Sequence, residues 1–159
     1  MKYDLLKIMD DLGVSYEYYE HEPIVDEATA LKVNQQFNLK GVESKNLFLK
    51  SKSGNYYVMV SEYGVKFNRA FMKDLVGEKL SIASAEELVE KTGYSSGCAA
   101  SFGYDEDVTI VVDENIYKNE YFICSGGNAT SSFVIKTEEL KKIFPTLANK
   151  VIYTKLDYE

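Results

Sequence analysis

Leu5, Ile8, Met9 and Leu12 recur at helical spacing, and Gly13 follows as a stop, so Asp4 to Leu12 is predicted to be a short amphipathic helix. Val14 to Glu20 is rich in tyrosine and alternates apolar with polar positions, which predicts a strand. Pro23 then forces a loop, and Asp26 is placed to cap a helix over Glu27 to Phe37, with a break at Gly41. Lys45 to Ser51 and Tyr56 to Tyr63 predict a hairpin around Ser51-Lys52-Ser53-Gly54-Asn55. Asn68 reads as the cap of a short helix ending near Gly77, and Leu80 to Ile82 as a brief strand. Ser84-Ala85-Glu86-Glu87 is a capping box opening a helix that Gly93 ends. Gly93 to Gly103 is small and polar with glycine at intervals; it has little to bury and reads as a loop. Asp107 to Val112, Tyr121 to Ser125 and Ser131 to Lys136 predict three further strands. Thr137 is expected to cap a last helix, Glu138 to Phe144, closed by Pro145. No repeat, linker or low-complexity tract interrupts this order, and strands alternate with helices without a strict βαβ rhythm. The expected fold class is α+β: one domain over residues 1–159 with a mixed sheet.

Bulk properties narrow the function. A chain of 159 residues can bury a core without disulfides or structural metal. The start of the chain leads into an amphipathic pattern, and no apolar stretch is long enough to span a bilayer. A cytoplasmic protein without a membrane partner is expected. Cys98 and Cys124 are far apart and form no C-x-x-C pair, which fits two idle thiols in a reducing compartment and not zinc. Eighteen basic against twenty-five acidic residues give a net charge of −7, which disfavours coating of a DNA duplex. Seventeen of the eighteen basic residues are lysine, so bidentate arginine readout of bases is nearly absent. A local lysine patch can still meet the phosphates of one nucleic-acid end.

Three segments carry candidate chemistry. Lys45 stands at the mouth of a strand, where a lysine is ordinarily a solvated edge charge. Its functional alternative is an ammonium held at a sheet's open end for a phosphate or carbonyl oxygen. Lys50, five residues on, should face the opposite side of a regular strand. The Gly93–Gly103 loop is either a surface connection or a wall where Gly97 lets backbone amides approach a ligand and leaves room for a small side chain only. No Gly-Lys-Ser/Thr follows it, which disfavours nucleoside triphosphate hydrolysis. Cys124-Ser125-Gly126-Gly127-Asn128-Ala129-Thr130 is a tight turn that could present amides and an asparagine to a ligand. His21 is the sole histidine, and neither Ser nor Cys stands in a nucleophile-elbow context, so covalent catalysis is disfavoured. Glu17, Glu20 and Glu22 read as a solvent face.

Taken together and in order, these segments resemble the YbaK and prolyl-tRNA editing family of aminoacyl-tRNA deacylases. The resemblance runs from Leu12-Gly13 through His21-Glu22-Pro23-Ile24, Lys45-Asn46-Leu47-Phe48-Leu49-Lys50, Leu80 to Leu88 and Gly93-x-x-x-Gly97, to Asn128-Ala129-Thr130-Ser131-Ser132. It implies an α+β domain with a mixed, partly barrel-like sheet flanked by helices. It also implies hydrolysis of the ester between a wrong amino acid and tRNA, most often alanine or cysteine on tRNA(Pro). A freestanding, trans-acting enzyme without metal or organic cofactor is expected, its partners being the aminoacyl-tRNA acceptor end and a prolyl-tRNA synthetase. By resemblance Lys45 is the catalytic residue, and Asn46, Gly97, Cys98, Ala99, Ser125, Gly126 and Asn128 are the substrate-binding candidates.

The chain departs from that pattern at two places. Ser96 and Ser101 stand where alanine-removing members usually carry prolines, and Cys124-Ser125 stands where they tend to have His-Pro. Ser125-Gly126 looks closer to the YbaK branch, and Asn128-Ala129-Thr130 to the prolyl-editing branch. Two rival readings remain from other classes. One is a non-catalytic module that binds an amino acid or a charged tRNA end; the other is a thiol hydrolase using Cys98 or Cys124.

Overall fold

The structure is a computed structural model that describes residues 2–156, so the outermost ends of the expected 1–159 domain lie outside it. Among the described residues, eight strands form one mixed sheet flanked by five α-helices. In chain order the elements are α1 (Leu5–Asp11), β1 (Tyr16–Glu20), α2 (Glu27–Gln36), β2 (Val42–Ser51) and β3 (Tyr56–Glu62). They continue with α3 (Arg69–Val76), β4 (Leu80–Ile82), α4 (Ala85–Thr92), β5 (Val108–Asp113) and β6 (Tyr121–Ser125). β7 (Ser131–Lys136), α5 (Thr137–Ile143) and β8 (Val151–Thr154) complete the set.

Local chemistry sets most boundaries. Asp4, Asp26, Asn68 and Ser84 each accept a backbone N–H from the first turn of α1, α2, α3 and α4, satisfying donors that a helix start leaves orphaned. Gly77 and Gly93 close α3 and α4 in the left-handed conformation. The last helix departs from expectation. Thr137 is its first residue and no side chain caps it; the Thr137 hydroxyl instead donates to Asn119 O at 2.6 Å, tying the helix to the connection before β6. The sequence pattern also missed β8, whose short apolar run pairs in parallel with β5.

The strands run in the order β1-β7-β6-β2-β3-β5-β8, with β4 added to β2. Alternate residues of the central strands feed two cores. Val58, Val60, Ile110 and Val112 pack in the larger cluster with Phe102, Phe122 and Phe133. Met59 and Val111 pack on the other face with Met72 and Leu80. β3 and β5 are therefore covered on both sides, which explains their nearly unbroken apolar sequence. β2 joins the halves of the sheet, and the candidate site lies beside it.

Candidate active site

β2 is longer than either neighbour on one of its edges. Its first residues, Val42 and Glu43, pair in parallel with Phe122 and Ile123 of β6; its last, Leu49 to Ser51, pair with β4. Between them no strand covers residues 44–48 on that side. Tyr63 N–H donates to Glu43 O on the β3 side, and Ala83 N–H donates to Phe48 O on the β4 side. Because peptide directions alternate along a strand, the backbones of Ser44 and Asn46 face the gap. A cavity of about 530 Å³ opens there, within the usual range for small-molecule sites.

Lys45, Asn46, Gly97, Cys98, Ala99, Ser125 and Asn128 all border this cavity. Seven of the eight expected site residues therefore meet although the chain separates them by more than eighty positions. Lys45 Nζ donates to Val65 O at 2.7 Å and makes no ion pair among the described residues. Two of its three N–H donors remain for a ligand. Lys50 turns to the other face of the strand, as the odd spacing requires, and pairs with Glu87 at 2.6 Å.

Asn46 is committed on both ends of its amide. Nδ2 donates to Ala99 O at 3.0 Å, and Oδ1 accepts from Ser101 Oγ at 3.2 Å. The asparagine beside the lysine thus pins the glycine loop to β2. Gly97 has φ +74°, and a Cβ added there would meet open space. The glycine is therefore required by the backbone conformation and not by lack of space.

The opposite wall comes from the β6–β7 turn. Ser125 Oγ accepts from Gly127 N–H at 3.0 Å and lies 3.4 Å from Cys98 O, closing the turn against the loop. Asn128 Oδ1 accepts from Thr130 N, Thr130 Oγ1 and Ser131 Oγ, while its Nδ2 has no partner among the described residues. Gly126 does not border the cavity. A Cβ on it would lie 2.1 Å from Ser131 Oγ, so this glycine serves the close approach of two strand ends.

Two features of the site were not legible beforehand. His21 follows β1, and the β1–β7 register brings it beside Ser132, which borders the cavity. Its Nδ1 lies 2.7 Å from Glu22 O and its Nε2 2.8 Å from Ser132 Oγ. A carbonyl oxygen only accepts, so the neutral ring carries its proton on Nδ1 and Nε2 accepts from the serine. The second feature is Glu43, two residues before Lys45. It borders the cavity, and burial raises its carboxyl pKa while a hydrogen bond from Asn34 Nδ2 at 2.9 Å pulls it down. No periodicity argument marks either group, because burial and a contact between residues 111 apart decide both.

The thiols are poor nucleophiles. Burial pushes Cys98 up and holds fully buried Cys124 far above the ordinary thiol range, and Cys124 does not border the cavity. Among the described residues, no group of three or more His, Cys, Asp or Glu side chains converges to hold a metal ion. No helix among them is long and apolar enough to cross a membrane.

Comparison with known proteins adds the family. The profile of the aminoacyl-tRNA editing domain matches residues 22–143, which span β2, the glycine loop and the β6–β7 turn. Among solved structures, a candidate trans-editing enzyme for prolyl-tRNA synthetase superposes with a TM-score of 0.75 at 20% identity, covering 97% of this chain and 96% of that one. The hypothetical protein APE2540 superposes with a TM-score of 0.79 at 20% identity, covering 95% and 98%. These likenesses establish a shared fold. No curated protein matches the sequence significantly.

Proposed function

The chain belongs to the aminoacyl-tRNA editing domain family, and from that premise we propose a trans-acting deacylase whose β2 cavity takes the aminoacyl-adenosine end of mischarged tRNA. Family membership makes ester hydrolysis of aminoacyl-tRNA the reaction. The observation that carries the assignment to this cavity is Lys45: an ammonium without a carboxylate partner, held by Val65 O at the rim of a gap in the sheet.

The chemistry needs little apparatus. An aminoacyl ester is already activated, so a positioned water can attack its carbonyl carbon once the developing oxyanion is stabilised. Lys45 supplies an ammonium for that oxygen, and the uncovered backbone of Ser44 and Asn46 supplies peptide groups at the same edge. The glycine loop, held by Asn46, forms one wall, and Asn128 Nδ2 offers a donor from the other. The neighbouring ribose hydroxyl of the substrate assists the water, so no histidine base is required. His21 is consistent with this, since both its nitrogens are already engaged.

For the finer specificity, alanine or cysteine on tRNA(Pro) is the reading we favour. Ala83, Ala85, Cys98 and Ala99 give the cavity an apolar wall that suits an uncharged methyl or thiol side chain, and one structural relative is a candidate trans-editing enzyme for prolyl-tRNA synthetase. That reading makes the synthetase a partner and the cytoplasm the place of action, and groups the chain with the YbaK-like editors. A panel of purified tRNAs charged with alanine, cysteine, serine and proline tests it. Release of alanine or cysteine from tRNA(Pro) with proline spared is expected. Binding of charged tRNA without hydrolysis of any member would leave a recognition module instead.

A further inference from the structure

We propose that Glu43 is the anchor for the α-ammonium of the aminoacyl group and the residue by which this cavity discriminates against N-blocked esters. The inference rests on the assignment of the cavity to an aminoacyl ester.

Glu43 and Lys45 stand two residues apart on β2 and project to the same face, about 7 Å apart along the strand. Both border the cavity, yet they form no ion pair with each other. Lys45 is held by Val65 O and Glu43 by Asn34 Nδ2. Glu43 Oε2 takes that single bond, and Oε1 has no partner among the described residues. The carboxylate is half-buried on the cavity wall, its one protein donor is a neutral amide, and its second oxygen is left accessible to a cation arriving with the ligand.

An aminoacyl ester brings such a cation. Its α-ammonium is one carbon from the carbonyl whose oxygen becomes negative during hydrolysis. One wall that carries a carboxylate and an ammonium, each kept off the other by a separate tether, complements that pair of charges. Glu43 would hold the ammonium while Lys45 meets the oxygen, and two charge-assisted hydrogen bonds would fix the carbonyl face presented to water. An N-blocked ester, such as a peptidyl-tRNA, has no positive charge there and places an acyl group against the carboxylate. The site then spares peptidyl-tRNA by electrostatics and not by size alone.

The test uses a non-hydrolysable ligand, 3′-(L-alanylamino)-3′-deoxyadenosine, and its N-acetyl derivative, titrated calorimetrically into wild type and Glu43→Gln. Hydrolysis of alanyl- and N-acetylalanyl-tRNA is measured alongside. Glu43→Gln keeps the volume and an acceptor for Asn34, and Glu43→Asp keeps the charge. Wild type is expected to favour the free amine by at least about tenfold, as one charge-assisted contact allows. That preference should vanish in Glu43→Gln and persist in Glu43→Asp. An undiminished preference in folded Glu43→Gln, or none in wild type, would overturn the anchor. Preferential binding without hydrolysis would sink the deacylase reading alone, whereas equal hydrolysis of both esters would sink the anchor alone.

Discussion

Replacing Asn46 by alanine separates a loop-holding role from direct contact with substrate. The side chain gives Ala99 O one hydrogen bond and accepts another from Ser101 Oγ, and both loop residues are buried. Truncation deletes two bonds and leaves a carbonyl and a hydroxyl poorly satisfied, a cost of about 2–3 kcal/mol. For a chain of this size that lowers the melting temperature by roughly 5–10 °C. The released loop carries Gly97 and Cys98 away from Lys45, and a shift of about 1 Å at a reacting centre can cost on the order of 10²-fold in rate. Thermal unfolding and steady-state deacylation should therefore fall together. Ser101→Ala removes only the weaker bond and should show a smaller loss of both kinds. The double variant should lose less than the sum of the two single losses, because the residues share one bond. An Asn46→Ala protein with unchanged melting temperature but abolished turnover would refute the tether and return the asparagine to the substrate.

Other outcomes follow from the same geometry. Gly126→Ala places a methyl 2.1 Å from Ser131 Oγ and should lower the melting temperature measurably, whereas Gly54→Ala, with no atom within 4 Å, should show only the cost of its left-handed φ. Tyr57 donates to Glu78, whose carboxyl is lowered to about 2 by that bond first, then by Ser53 and Asn55. A depressed carboxyl contributes stability above its unfolded pKa, so the deficit of Tyr57→Phe should be full at neutral pH. Denaturant titrations should show it shrinking as pH falls from about 4.5 towards 2. Cys124→Ala should retain turnover, and Cys98→Ser should change it less than about tenfold; loss of all activity in either would revive a thiol nucleophile.

The fold was legible where local chemistry decides it. Asp26, Asn68, Ser84, Gly77 and Gly93 announce helix ends through the backbone groups they satisfy or the φ they permit. Thr137 misled because a hydroxyl ahead of an apolar run looks like a cap, while its bond goes to Asn119 O in a segment eighteen residues earlier. β8 is brief, and its stability comes from pairing with β5, which no local pattern encodes. The site was legible in part. Lys45, Asn46 and the glycine loop carry motif-like spacing, but the gap in the sheet that joins them arises because β2 outruns both β6 and β4. Glu43 and the His21–Ser132 pair depend on register and burial alone.

Whether the Lys45 ammonium acts on the ester is decided by Lys45→Met, with alanyl-tRNA(Pro) deacylation followed under single-turnover conditions beside wild type. The substitution leaves Val65 O without its donor, so a loss of about 1 kcal/mol in stability is expected whatever the role of the lysine. The deacylation rate should fall in addition by about 10²–10³-fold, the usual consequence of removing one oxyanion-stabilising donor. A folded Lys45→Met protein that releases alanine as fast as wild type would contradict that action of the lysine.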